Sequence, residues 1–111
     1  MAFQTVTPIR LAQASLTTSY LAIYTVPTGT RTYVKDINVC NTTGSAITID
    51  ICLVLNEGTP GAANALYFGF SVAANTTLQW KGSQIMNEFD TIQVKGSSTG
   101  CTINIGGGEA T

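Results

Sequence analysis

The stretch from Arg31 to Leu55, RTYVKDINVCNTTGSAITIDICLVL, decides the fold. In its second half Ile47, Ile49, Ile51, Leu53 and Leu55 fall on alternate positions, with Thr48, Asp50 and Cys52 between them. A period of two places the first set on one face of a pleated strand and the second on the other. Ile and Thr suit such a surface because their stiff χ1 rotamers pack well across a pleat. In the first half, from Thr32 to Cys40, Tyr33, Lys35, Ile37 and Val39 alternate with Val34, Asp36, Asn38 and Cys40. Both sets mix apolar with polar residues, so the pattern leaves the buried face open. Between the halves, Asn41-Thr42-Thr43-Gly44-Ser45 supplies turn chemistry, because Asn tolerates the left-handed region and Gly enters it freely. A hairpin is the simplest reading, and a crossing between two sheets would leave a similar pattern.

Further strand candidates recur on either side. Val6–Ala12 is extended around Pro8, which donates no ladder hydrogen bond and so favours an edge strand or a free arm. Tyr20–Val26 is rich in aromatic and β-branched residues and ends at Pro27-Thr28-Gly29-Thr30. Asn56–Asn64 reads as a loop, and Ala65–Val72 is the most apolar segment. Gly69 within it suggests a bulge or a close backbone approach. Thr76–Lys81 puts Leu78 and Trp80 on one face, Gln84–Phe89 is irregular, and Thr91–Lys95 alternates cleanly. Gly96–Gly100 is a turn before a last strand, Cys101–Ile105. Gly106-Gly107-Gly108 reads as the start of a flexible tail, 106–111. A helical turn is plausible only over Arg10–Ser19. About eight short strands with turn signals roughly every 8–12 residues point to an antiparallel, jelly-roll-like β-sandwich in the all-β class. One domain spans 1–111, and 1–12 is either an extended arm or its first edge strand.

With 111 residues and 44% hydrophobic content, the chain supports one core. Charged residues make up 10%, against about 25% in typical domains, and the formal net charge is −1. Such a surface has little electrostatic pull on nucleic acid or anionic lipid. It also has little charge repulsion to hold copies apart, which favours burial in an assembly. No apolar run approaches the roughly 20 residues of a membrane-spanning helix, and the N-terminus does not read as a cleaved signal. Cys40, Cys52 and Cys101 form an odd set without paired spacing, which supports neither a disulfide framework nor a zinc site. They read as reduced thiols, or Cys52, on the polar strand face, bridges to another subunit.

Catalytic signals are absent from the sequence. There is no histidine, no Ser in a nucleophile elbow and no Cys–His pairing. Asp36, Asp50, Glu57, Glu88 and Asp90 are scattered, and Asp90 reads as a turn residue capping backbone amides rather than half of a Glu88–Asp90 dyad. Asn41-Thr42-Thr43 and Asn75-Thr76-Thr77 match the glycosylation pattern and are more simply turn residues. Arg10, Arg31, Lys35, Lys81 and Lys95 do not cluster in sequence. No cofactor or metal is expected. Tyr24, Tyr67 and Trp80 could stack on a carbohydrate, although Trp80 beside Leu78 reads first as core.

Several segments carry a resemblance: TPIRLAQ near the N-terminus, YTVPTGTRTYVKDINVCNTTGSA, GAANAL, AANTTL and the ending GCTINIGGGEAT. Together they resemble a group of small virion-associated proteins of tailed bacteriophages, over most of the chain. The resemblance implies a β-sandwich structural protein that coats the capsid or attaches to the neck or tail, located in the virion after assembly in the host cytoplasm. It carries over no site residues. The expected role is a capsid decoration or cement protein, with a neck, tail or fibre-base component and a host-surface carbohydrate-binding module as alternatives. Expected partners are further copies of the chain, a trimer for instance, and the major capsid protein or other virion proteins. Thr5, Val6, Pro8, Ile9, Arg10 and Leu11 form the expected attachment arm.

Overall fold

A computed structural model describes residues Val6–Thr111, and these form eight β-strands with one short 3-10 turn. The strands are β1 (Val6–Ser15), β2 (Leu21–Thr25), β3 (Arg31–Asn41), β4 (Ile47–Val54), β5 (Ala65–Val72), β6 (Thr77–Met86), β7 (Thr91–Gly96) and β8 (Cys101–Ala110). They make two antiparallel four-stranded sheets, β1-β8-β3-β6 (sheet A) and β2-β7-β4-β5 (sheet B). The pairs β1–β8, β2–β7, β3–β6 and β4–β5 are nested like one long hairpin rolled up on itself. This is the jelly-roll wrapping, with two Greek keys across two packed layers.

The Arg31–Leu55 stretch is therefore a crossing, not a hairpin. β3 lies in sheet A and β4 in sheet B. Asn41, fully buried, fixes the crossover. Its Nδ2 donates to the carbonyls of Ser45 (2.8 Å) and Val72 (3.0 Å), and its Oδ1 accepts the Thr43 N–H (2.9 Å) and hydroxyl (2.7 Å). Those bonds tie the end of β3 to the end of β5, which a two-strand hairpin would not do.

Ile47, Ile49 and Ile51 pack into the core against Ile37, Val39, Ile103 and Ile105 of sheet A and Ile92 and Val94 of sheet B. Burying such aliphatic side chains contributes about 1.5–3 kcal/mol each relative to exposure. The alternation stops at Leu53: Val54 is buried and Leu55 is exposed. The loop after β4 causes this by folding back, so that Gly58 lies over Val54 and Gly61 over Cys52.

The mixed pattern of β3 has a physical cause. Its register shifts between Val34 and Asp36 against both neighbours, so Lys35 is an extra residue and the buried set changes phase, from Thr32 and Val34 to Ile37 and Val39. β1 shifts at the same level, between Arg10 and Ala12, and β6 between Gln84 and Lys81. A line of bulges thus creases sheet A from edge to edge.

That crease corrects the reading of the glycines. Gly106-Gly107-Gly108 is no flexible tail; it lies inside β8, between β1 and β3. A Cβ on Gly107 would come 2.0 Å from the Tyr33 carbonyl oxygen, and one on Gly106 would come 2.8 Å from Asp36 Oδ1. Of the two readings of the N-terminal segment, Val6–Ala12 takes the edge strand, paired with β8. Two other readings are corrected: Arg10–Ser15 is strand rather than a helical turn, and Gln84–Met86 continues β6. In sheet B, Gly69 sits at a bulge as its place in the sequence suggests, with φ +62° and two register shifts between β4 and β5.

Candidate interaction surfaces

The residues singled out in sequence are dispersed. Val6, Pro8, Ile9, Arg10 and Leu11 lie along β1 with Leu11 turned into the core, and Thr5 lies outside the described residues. Cys52, expected on an open polar face, is fully buried beneath the β4–β5 loop, its Sγ 3.6 Å from the Gly61 carbonyl. All three cysteines are free thiols, and burial raises the pKa of Cys101.

Asp90 is the backbone cap that its position suggests: Oδ1 accepts the Asn56 N–H (2.9 Å) and Oδ2 the Asn87 N–H (2.9 Å). It is buried rather than solvated. Glu88 accepts the Gly29 N–H, so the two acids serve separate turns. Asn41 is wholly engaged in the crossover, while Asn75 takes a left-handed turn conformation. Among the described residues no group of three or more His, Cys, Asp or Glu is placed to hold a metal ion.

The three aromatic residues do not form one platform. Tyr24 of β2 reaches across to sheet A, where its hydroxyl donates to Glu109 Oε2 (2.5 Å) and lies 2.7 Å from Thr32 Oγ1. Burial and the Glu109 carboxylate push its pKa up to about 12. Tyr67 packs against Phe70, with ring centroids 5.1 Å apart, and Trp80 is half-buried against the core with its ring beside Gly82.

Two features stand out that the sequence reading did not single out. The first is the β5 edge. The flank formed by β5 and β6 lies opposite the flank where β1 meets β2. β1 is blunted by Pro8 and Arg10, devices that discourage edge pairing, but Ala65–Val72 contains neither charge nor proline. Phe68 is 57% exposed and Phe70 43%, and Ile85 on β6 is 60% exposed. The second is the outer face of sheet B at Asp50. Its Oδ1 accepts the Gly69 N–H (2.7 Å), and its Oδ2 accepts the Tyr20 hydroxyl (2.6 Å) and lies 3.9 Å from Lys95 Nζ. Lys95 also stands 4.9 Å over the Tyr20 ring. The hydrogen bond to Asp50, with burial next, raises the Tyr20 pKa well above its ordinary value. The signal for the edge was available in the uncharged run ALYFGFSV.

No protein-family model matches the sequence, and no curated protein matches it. Solved structures share its fold. A protein from the structure described as "Bacillus endospore appendages form a novel family of disulfide-linked pili" superposes with a TM-score of 0.61 and 16% identity, over 96% of this chain and 88% of that one. A chain of the infectious bursal disease virus Gx strain superposes with a TM-score of 0.55 and 11% identity, over 96% of this chain and 32% of the viral one. This chain therefore spans about a third of the viral protein. The shared property at these identities is the all-β, jelly-roll fold.

Proposed function

We propose that this protein is a non-enzymatic structural part of a tailed-bacteriophage virion, a decoration or cement protein on the capsid exterior that bridges neighbouring capsid subunits. The carrying observation is the β5 edge, which pairs with no further strand among the described residues, with exposed Phe70 on it and exposed Ile85 beside it on β6. In water such an edge is a template for pairing; in an assembly it is covered. The low charge of the chain gives neighbouring copies little to repel, and many weak contacts repeated over a particle hold firmly together. The two fold relatives come from assemblies, a pilus and a virus.

The same edge supports self-association. β2 and β5 are opposite edges of sheet B and run antiparallel, so β5 of one copy can continue the sheet at β2 of the next. A head-to-tail contact of this kind closes into a ring, a trimer for instance, or runs on as a filament.

The test combines location with the edge. Antibody-gold labelling of intact particles should mark the head; a mark on the neck or tail would move the assignment there, and unmarked particles would overturn both. A Phe70→Lys/Ile85→Lys variant should keep its unfolding midpoint but drop out of particles. Undiminished incorporation would remove the edge from the argument.

A further inference from the structure

Asp50 is an acid in the middle of a strand, on the outer face of its sheet, with its side chain only 10% exposed. Strand interiors disfavour Asp, and a buried carboxylate is costly unless it is partnered. The Gly69 N–H accounts for one of its partners, because the β5 bulge turns that amide away from the ladder. Tyr20 and Lys95 are additional. At 3.9 Å, Lys95 Nζ is beyond hydrogen-bond distance from Asp50, so the contact does not use up its donors.

These groups border a hollow of about 360 Å³ lined by Thr18, Thr48, Phe68, Lys95 and Ser97 beside Asp50. Its chemistry is specific. One carboxylate and one ammonium cancel, so the hollow favours neither an anion nor a cation. Hydroxyls at Thr18, Thr48 and Ser97 can donate as well as accept. Phe68 adds an exposed aromatic wall to this otherwise polar rim. A neutral ligand with several hydroxyls on its edge and an apolar C–H face would satisfy all of these groups together.

We propose that this hollow binds a neutral hexopyranose unit of a glycan. Asp50 accepts from adjacent sugar hydroxyls through lone pairs left by Gly69 and Tyr20, and Lys95 donates to a sugar oxygen. Thr48 and Ser97 serve the rim, and Phe68 covers the C–H face. The site is distinct from Tyr24, Tyr67 and Trp80, and does not depend on where in a particle the protein sits. Binding at one copy is weak and gains strength from repetition.

The test is a titration of the folded, isotope-labelled protein with glucose, galactose and N-acetylglucosamine, followed by amide chemical shifts. At least one sugar should give saturable shifts at Thr48, Gly69, Lys95 and Ser97. Asp50→Asn keeps an acceptor for Gly69 and a partner for Tyr20, so it should fold, yet it should lose about tenfold in affinity with the charge-assisted bonds. Thr48→Val, at an exposed position, should weaken binding several-fold. The absence of saturable shifts with all three sugars, or unchanged affinity in Asp50→Asn, would overturn the proposal.

Discussion

In sheet A the Asp36 carboxylate accepts the Gly106 N–H at 3.0 Å; in sheet B the Asp50 carboxylate accepts the Gly69 N–H at 2.7 Å. Each pair sits where a bulge takes an amide out of the regular ladder, and each uses an aspartate from the next strand to satisfy it. The glycines are needed for different reasons. In sheet A the backbones approach so closely that a Cβ at Gly107 would meet the Tyr33 carbonyl, and one at Gly106 would meet the Asp36 carboxylate. Around Gly69 nothing lies within 4 Å of a Cβ, and the requirement is its φ of +62°. The crease in sheet A is locked by contact, whereas the crease in sheet B opens onto a hollow and recruits Tyr20 and Lys95. The same local device is closed in one sheet and available for chemistry in the other.

The most severe way to break this comparison is to add side chains at the two glycines. Gly107→Val places its Cβ against the Tyr33 carbonyl in the middle of sheet A, and should cost about 3 kcal/mol or more, or prevent folding. Gly69→Ala meets open space and should cost only the left-handed backbone term, about 1–2 kcal/mol. Urea unfolding of both variants decides it. Equal losses would mean that the two creases are held in the same way.

A smaller contrast is expected at the acids. Asp50→Ala strips partners from the Gly69 amide and the Tyr20 hydroxyl and should cost about 2 kcal/mol. Asp36→Ala removes the partner of one amide at a half-buried position that water can reach, and should cost about 1 kcal/mol or less. If Asp36→Ala proved the costlier of the two in urea unfolding, the extra partners of Asp50 would have no stabilising role.

The two creases were unequally legible in the sequence. Gly69 announced its bulge because a lone glycine interrupts an apolar strand run. Asp90 was readable as a cap for a similar reason, since its Asn87 partner is local. Gly106–Gly108 misled because a glycine run looks loose, while the atoms that require it, Tyr33 and Leu11, are brought in from distant strands. The bulge at Lys35 inverted the phase of β3 and so hid which face was buried. The β3–β4 crossover was hidden because Asn41 makes decisive bonds to Val72, 31 residues away. The Asp50 site was illegible for the same reason. Tyr20 lies 30 residues from Asp50 and Gly69 lies 19, and no local pattern links them.

The gentlest probe is pH, because it loads the Asp50 crease without changing a residue. The Tyr20 hydroxyl donates to the Asp50 carboxylate, and losing its proton would set two negative oxygens 2.6 Å apart. Its native pKa is therefore raised, while in the unfolded chain it stays near 10. Below pH 10 tyrosine is protonated in both states and the stabilisation is fully present. Above pH 10 the unfolded state gives up the proton first, so it binds fewer protons than the native state and stability falls as pH rises. Tyr24, raised to about 12 by burial and by Glu109, acts in the same direction between pH 10 and 12. Urea midpoints measured from pH 8 upward should be steady and then decline beyond about pH 10. Tyr20→Phe should make the decline shallower, whereas Asp36→Asn should leave its slope unchanged, because nothing in the sheet A crease ties that carboxylate to a tyrosine hydroxyl. If Tyr20→Phe declined as steeply as the parent, the bond between Tyr20 and Asp50 would not be coupled to folding, and the two creases would differ only in shape.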